Sequence, residues 1–288
     1  MKRQLICNGD SWVFGSELVD PNIAKNYPSD VHIGNYDHLK INDEYRIPKI
    51  FSTKLANLLD ADAINLAWPA DDNQSICNRT IEYIIENYIN IGIGTDNLFV
   101  VIGWSSPERA LFWYKDDERS QKYIIWPSLE WHDTPAQQKF WELYVSYYWN
   151  KEEYIPRFVD TVLRFQNFCT EHKINFVMFN AFYQGQGSGC SHTLGNDVNI
   201  KEELATLPPS GYDYSVGDIR TTKMSSHLHA WQTVSDITYY YKDQPRNSFR
   251  TFISDRLDNP LSGWHPSEEG HTLWANELYK YINKNKLL

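Results

Sequence analysis

Gln4-Leu5-Ile6-Cys7-Asn8-Gly9-Asp10-Ser11-Trp12 opens with an apolar run of strand length and ends it at a glycine-containing turn that delivers a serine. The run is continuous rather than alternating, as a strand buried on both faces of a parallel sheet requires. Three further runs of the same kind, at residues 63–67, 98–102 and 174–179, also end at polar or glycine residues. Apolar residues at helical spacing fill the intervals 47–59 and 75–91. The stretch 140–172 reads as two helices broken near Pro156, and 266–282 as an amphipathic C-terminal helix with Leu273, Trp274, Leu278 and Ile282 on one side. Strands alternating with helices predict βαβ units: a three-layer α/β/α sandwich around a mostly parallel central sheet. Such sheets bind ligands beyond the carboxyl ends of their strands. That singles out the loops beginning near Asn8, Trp68, Gly103 and Asn180.

Residues 1–288 are expected to form one domain with two departures from the minimal pattern. Residues 112–149 are crowded with aromatics, including Trp113, Trp126, Trp131, Trp141 and Trp149. Residues 183–226 begin with a glycine-rich stretch and run through Pro208-Pro209. Both follow strand ends, where they are placed either to wall a substrate cleft or to serve as packing surface. The chain holds 11 Trp, 19 Tyr and 13 Phe, enough for a large core and for rings that stack on flat faces such as sugars.

Charge and composition exclude several classes of partner. The formal net charge is −10 and no basic run occurs, so nucleic acid is not an expected partner. No apolar run approaches the roughly 20 residues of a membrane helix, and no membrane partner is expected. The N-terminal apolar run is too short for a secretory signal, which predicts synthesis in the cytoplasm. Cys7, Cys77, Cys169 and Cys190 show neither close pairing nor metal-ligand spacing and read as free thiols. His227-Leu228-His229 would suit a metal only on a strand with further ligands nearby; none is evident, so no metal site is expected.

Chemistry concentrates at the two ends of the chain. A serine just past a strand, at a sharp glycine turn, is placed to expose its hydroxyl beside a backbone N–H able to face an oxyanion. The bland reading is a strand-ending turn with Asp10 or Ser11 capping a helix. Near the other terminus, Gly263-Trp264-His265-Pro266-Ser267 leads into the last helix, with Pro266 suited to its first turn. Ser105-Ser106-Pro107-Glu108 has the form of a capping box and predicts a helix start. Arg109, one residue on, is expected near the site, either meeting a substrate carboxylate, holding Asp71 or Asp72, or making a surface salt bridge.

Gly9-Asp10-Ser11 after an N-terminal strand, with His265-Pro266-Ser267 before a C-terminal helix, resembles the first and last sequence blocks of the SGNH/GDSL hydrolases. The segment 65–73 resembles the second block, and 101–106 occupies the place of the third. The flavour is that of divergent members in bacteriophage genomes, which would allow a virion-associated setting. The resemblance implies the flavodoxin-like SGNH hydrolase fold and a serine esterase acting on a carboxylic ester without a cofactor. Ser11 would be the nucleophile and His265 the general base.

Departures from the family pattern shape the remaining expectations. The second-block glycine that donates a backbone N–H to the oxyanion is Ala70 here, which can serve if its backbone angles permit. Ser105 stands where the family has an asparagine donor, and Asn73 is the candidate substitute. One missing donor of this type costs ~10²–10³ in rate. The aspartate expected three residues before the histidine is replaced by Ser262; either Asp258 or Asp255 would then orient the ring, with Asp258 the choice, or a Ser–His dyad would rely on a backbone carbonyl. The expected substrate is a small-molecule or glycan ester, with an O-acetylated carbohydrate preferred because of the aromatic loops. An acyltransferase using the same Ser11 and His265 and a non-catalytic binding or virion protein on a degenerate SGNH fold are the alternatives. The sequence leaves the oligomeric state open.

Overall fold

The computed structural model describes residues 2–25, 42–116, 119–125, 134–181, 201, 204–205, 226–243 and 248–288. The chain begins with strand β1 (Arg3–Asn8), the one-turn helix α1 (Ser11–Phe14) and the short helices α2 (Pro21–Lys25) and α3 (Asp43–Arg46). There follow α4 (Phe51–Leu58), β2 (Ala61–Asn65), α5 (Asn73–Ile84) and β3 (Leu98–Trp104). Next come β4 (Ala110–Asp116), β5 (Arg119–Ile125), α6 (Pro135–Tyr147), α7 (Lys151–Glu171) and β6 (Asn175–Asn180). The C-terminal part carries α8 (Ser226–Thr233), α9 (Phe249–Ser254), β7 (Leu261–Ser262), β8 (His265–Pro266) and α10 (Glu268–Asn285).

Strands β2, β1, β3 and β6 form one sheet in that order, and every pairing in it is parallel. Single parallel bridges from Met178 to Tyr239 and from Asn180 to Ser248 extend its far edge. Alternate residues face opposite cores. Leu5, Cys7, Phe99, Val101, Val177 and Phe179 pack with α4, α9 and α10. Ile6, Val100, Ile102, Trp104, Phe176 and Met178 pack with α5, α7 and α8. Both faces of the sheet are therefore dry, the physical reason its inner strands are apolar without interruption. The fold is the expected α/β sandwich around a mostly parallel sheet.

The sheet order places a topological switch at β1: the chain leaves it toward β2 on one side and is joined by β3 on the other. The crevice beyond the carboxyl ends of β1 and β3 is the ligand position such sheets provide. Ser11 follows β1 and Ser105 follows β3, so both stand at that end of the sheet.

Several local expectations are corrected. No helix starts at Ser105: residues 105–109 form a turn, closed by Arg109 N–H to the Ser106 carbonyl (3.2 Å), that feeds the antiparallel β4–β5 hairpin. The local capping signal loses to tertiary contacts that take the Ser105 backbone elsewhere. Pro156 lies inside α7, and the break between α6 and α7 falls at residues 148–150, where Tyr148 closes one helix and Asn150 caps the next. Pro266 belongs to β8, because Ser267 is the N-cap of α10 and accepts from Gly270 N–H. His227 and His229 sit on a helix, not a strand, and two-residue spacing there separates them by more than half a turn.

In the aromatic segment, Tyr123 and Tyr144 form a satellite core with Ala110 and Ile125, with Phe112, Trp141 and Trp149 packed against it. Trp126, Trp131 and nearly all of residues 183–226 lie outside the described residues. Cys7, Cys77 and Cys169 are buried and unpaired, while Cys190 lies outside that description. No helix among the described residues is long and apolar enough to cross a membrane.

Candidate active site

The turn after β1 is fixed from below. Asn8 donates through Nδ2 to the Ile76 carbonyl and Thr80 Oγ1 (both 2.9 Å), tying the strand end to α5, and its Oδ1 accepts from Gly9 N–H. Glycine is required at two positions under α1. A Cβ on Gly9 would lie 2.3 Å from Val13 Cγ2, and one on Gly103 would lie 2.5 Å from the same atom. Helix α1 thus rests directly on the backbones of β1 and β3, with Val13 between them. Asp10 is its N-cap, accepting from Trp12 N–H (3.0 Å), and Gly15 closes it in the left-handed conformation (φ 84°). Ser11 is consequently the first residue of a helical turn at the carboxyl end of β1, nearly buried at 7% exposure.

The second loop is laid against the first. Leu66 N–H donates to Cys7 O (2.8 Å), Trp68 N–H to Gly9 O (3.1 Å), and Asn65 Nδ2 to Val13 O (3.2 Å). Ala70 follows with φ 64°, the left-handed region a glycine would occupy without strain. Among the described residues, neither the backbone N–H of Ser11 nor that of Ala70 is taken up in a hydrogen bond.

The third loop is held by Asn73 and by a buried polar network. Asn73 Oδ1 accepts from Ser105 N–H (2.8 Å), and its Nδ2 donates to the carbonyls of Ser105 (3.1 Å) and Ser106 (3.3 Å). The Ser105 hydroxyl donates to Asp10 Oδ2 (2.7 Å), and Arg109 reaches the same oxygen at 3.1 Å and the Asp71 carbonyl at 3.0 Å. Arg109 is only 3% exposed, so its ion pair is an interior one rather than a surface salt bridge. Burial pushes the Asp10 carboxyl up and the Arg109 guanidinium down, against the attraction between them. Asn73 and Ser105 are thus engaged with protein groups: one clamps the loop, the other buttresses the cap of α1.

His265 lies on β8, which packs against α1, and its ring stands 6.4 Å from that of Trp12. Strands β7 and β8 form a tight hairpin in which Ser262 faces His265, with Gly263 at φ 65° in the turn. No hydrogen bond joins Ser11 to His265 among the described residues; such contacts commonly tighten only when substrate binds. Asp258 is exposed on the preceding loop, as is Asp255. The carboxylate beside the imidazole is that of Glu17, with Oε2 3.3 Å from His265 Nδ1. The same oxygen accepts from the backbone N–H of Trp264 (2.6 Å) and of His265 (3.2 Å). Burial alone would raise the Glu17 carboxyl, but His265 and the two N–H donors outweigh it and hold it below the usual carboxylate range.

The structure therefore brings Ser11, Ala70, Asn73, Ser105 and Arg109 to one end of the sheet, and His265 onto the element packed against α1. Asp258 does not meet the imidazole. Sequence reasoning missed Glu17 and the depth of the Asp10–Arg109 pair. Glu17 stands only six residues past Ser11, but its partner is 248 positions away, a separation no local pattern encodes. Two large rings, Trp68 and Trp264, are about half exposed on the loops carrying Ala70 and His265. Chemically, the arrangement offers a hydroxyl, a ring base and backbone donors at the N-terminus of a helical turn.

Solved structures of similar outline include a protein assigned to the lipolytic G-D-S-L family from Desulfitobacterium hafniense DCB-2. It is 11% identical, the match covering 97% of this chain and 99% of that one, with a TM-score of 0.43. A carbohydrate esterase family 2 enzyme plus carbohydrate-binding domain from Corynascus thermopiles (Myceliophthora fergusii) is 14% identical, over 99% of this chain and 67% of that one, with a TM-score of 0.44. The psychrotrophic esterase EstA from Pseudoalteromonas sp. is 11% identical, over 98% and 97%, with a TM-score of 0.42. At such identities the likeness says nothing about which residues act. No curated protein sequence matches the chain. Residues 36–193, more than half of the chain and including Ala70, Asn73, Ser105 and Arg109, match the model of a family of unknown function, and the chain belongs to that family, DUF6071.

Proposed function

We propose that the protein is a serine hydrolase that cleaves a carboxylic ester through an acyl-enzyme on Ser11. The observation that carries this reading is the seating of Ser11 on α1 at the switch of the sheet, with the His265 strand packed against that same helix. Ser11 Oγ attacks the ester carbonyl carbon, and His265 Nε2 takes its proton, since Nδ1 faces Glu17. The carbonyl oxygen becomes an oxyanion held by the N–H groups of Ser11 and Ala70. Collapse expels the alcohol, which takes the proton from His265. Water, deprotonated by His265, then attacks the acyl carbon; the acyl–oxygen bond to Ser11 breaks, His265 returns the proton to Ser11 Oγ, and the carboxylic acid leaves.

A small acyl group on a carbohydrate is the preferred substrate. The exposed rings of Trp68 and Trp264, on the loops that carry Ala70 and His265, support it, because indole faces stack on sugar rings. Turnover of p-nitrophenyl acetate and of acetylated sugars by the wild type, beside Ser11→Ala and His265→Ala, tests the proposal. It requires activity in the first and background rates in both variants. One observation favours a non-catalytic binding protein instead: Asn73 and Ser105 are engaged internally, leaving the oxyanion to backbone donors. A serine-directed phosphonate that fails to label folded wild-type protein would decide for that reading.

A further inference from the structure

The carboxylate that meets His265 comes from an unexpected place in the chain. Helix α1 ends at Gly15 in the left-handed conformation, and two residues later Glu17 itself adopts φ 66°. A non-glycine residue there costs about 1–2 kcal/mol, and strain of this kind gathers where a side chain is held for a task. The turn aims the Glu17 side chain, 7% exposed, into the β7–β8 hairpin, where Oε2 meets two backbone N–H groups and lies 3.3 Å from His265 Nδ1. The hairpin is shaped to admit it: a Cβ on Gly263 would stand 2.3 Å from that oxygen. Strain at Glu17, space at Gly263 and two aligned donors are three separate features converging on one carboxylate.

We infer that Glu17 is the positioning residue of the active site, fixing the His265 ring with Nδ1 toward the carboxylate and Nε2 toward Ser11, so that the acid comes from the nucleophile's own loop rather than from the histidine's. The inference rests on the reading of Ser11 and His265 as the catalytic pair. It has a structural corollary: one carboxylate ties the loop after α1 to the turn before α10, so nucleophile and base are aligned by a single side chain.

The test compares Glu17→Gln and Gly263→Ala with wild type, Ser11→Ala and His265→Ala. Glu17→Gln keeps size and removes charge. Gly263→Ala leaves Glu17 in the sequence but displaces the end of its side chain. Hydrolysis of p-nitrophenyl acetate is expected to fall on the order of 10²–10⁴-fold in kcat for Glu17→Gln, with kcat/KM falling equally and KM little changed. Gly263→Ala is expected to fall in the same sense by less. A low-field ring N–H proton resonance, absent in His265→Ala, is expected in wild type and is expected to move or vanish in both variants. Wild-type kcat in Glu17→Gln, in a protein that Ser11→Ala and His265→Ala inactivate, overturns the role of Glu17 and leaves the serine esterase reading intact. Loss of kcat in Asp258→Asn in place of Glu17→Gln would transfer the role to Asp258. If wild type and Ser11→Ala are equally inert, the esterase reading fails. The resonance then decides by itself: unchanged in Glu17→Gln, it overturns the positioning of His265 by Glu17.

Discussion

Asn73 grips Ser105 by both of its backbone polar groups: Oδ1 accepts its N–H at 2.8 Å and Nδ2 donates to its carbonyl at 3.1 Å. Asn73 is the first residue of α5 and Ser105 the first after β3, so the clamp joins the second and third loops of the crevice. Both residues are buried. Asn73→Ala removes the partner of the Ser105 N–H and of the Ser105 carbonyl, while the Ser106 carbonyl keeps the Arg109 N–H. At about 1–3 kcal/mol for each such group, partly relieved by loop relaxation, it is expected to destabilise the fold by about 2–4 kcal/mol. Urea unfolding measures this; a loss below about 0.5 kcal/mol, with ester hydrolysis reduced, would return Asn73 to the role of oxyanion donor.

Arg109 and Asp10 are both essentially inaccessible, and each offsets much of the cost of burying the other. Arg109→Met strands the Asp10 carboxylate in the interior and is expected to cost about 3–5 kcal/mol. Asp10 already has its carboxyl pushed up by burial, so without Arg109 it takes up a proton more readily, and the cost is expected to shrink at mildly acid pH. Asp10→Asn together with Arg109→Met keeps a capping oxygen without a charge and is expected to recover part of the loss. Denaturation of the three variants at two pH values tests this. A raised KM with unaltered stability in Arg109→Met would instead make Arg109 a substrate-binding group.

Ala70 at φ 64° carries the left-handed penalty that glycine avoids. Ala70→Gly removes about 1–2 kcal/mol of strain and adds back about 0.4–1 kcal/mol of unfolded-chain entropy. A net stabilisation of about 0.5–1 kcal/mol is expected, and Ala70→Val should move Tm the other way because its branched Cβ is worse accommodated at positive φ. Thermal unfolding of the pair gives the answer; a fall in Tm for Ala70→Gly would show that the alanine methyl is favourably packed.

How much of this was legible in the sequence depended on how local the determining physics was. Strands β1, β3 and β6 were readable because both faces are dry, which forces an unbroken apolar run. For edge strand β2 the apolar run lies two residues past the strand itself, because Asp62 and Ala63 face solvent while Leu66 and Ala67 turn inward just beyond its end. The capping-box pattern at Ser105 misled for the opposite reason. Its backbone groups are claimed by Asn73, and the chain turns into the β4–β5 hairpin instead. Ser11 and His265 were legible as candidates because each sits in a contiguous motif. Glu17 was not, because its backbone conformation and its fit beside Gly263 exist only once α1 and β8 are packed.

His271 sets an acid limit on stability. It is buried in α10, stacked on Phe51 at 6.1 Å, and its Nδ1 accepts Phe51 N–H at 3.2 Å, which requires a neutral ring. Burial, reinforced by the charges of Lys54, His265 and Arg46, pushes the ring down to about 3 from its ordinary 6.5. The unfolded chain therefore binds a proton that the folded chain refuses between about pH 6.5 and 3. Stability is complete above 6.5 and declines as the pH falls through that window, by at most about 1.4 kcal/mol per unit. His271→Asn keeps an acceptor for Phe51 N–H and does not titrate. It is expected to lose stability at pH 7 through poorer packing but to show a shallower decline toward pH 5. Urea midpoints at pH 7, 6 and 5 for both proteins measure the difference in slope; equal slopes would mean that His271 is protonated in the folded state and that the acid sensitivity originates elsewhere.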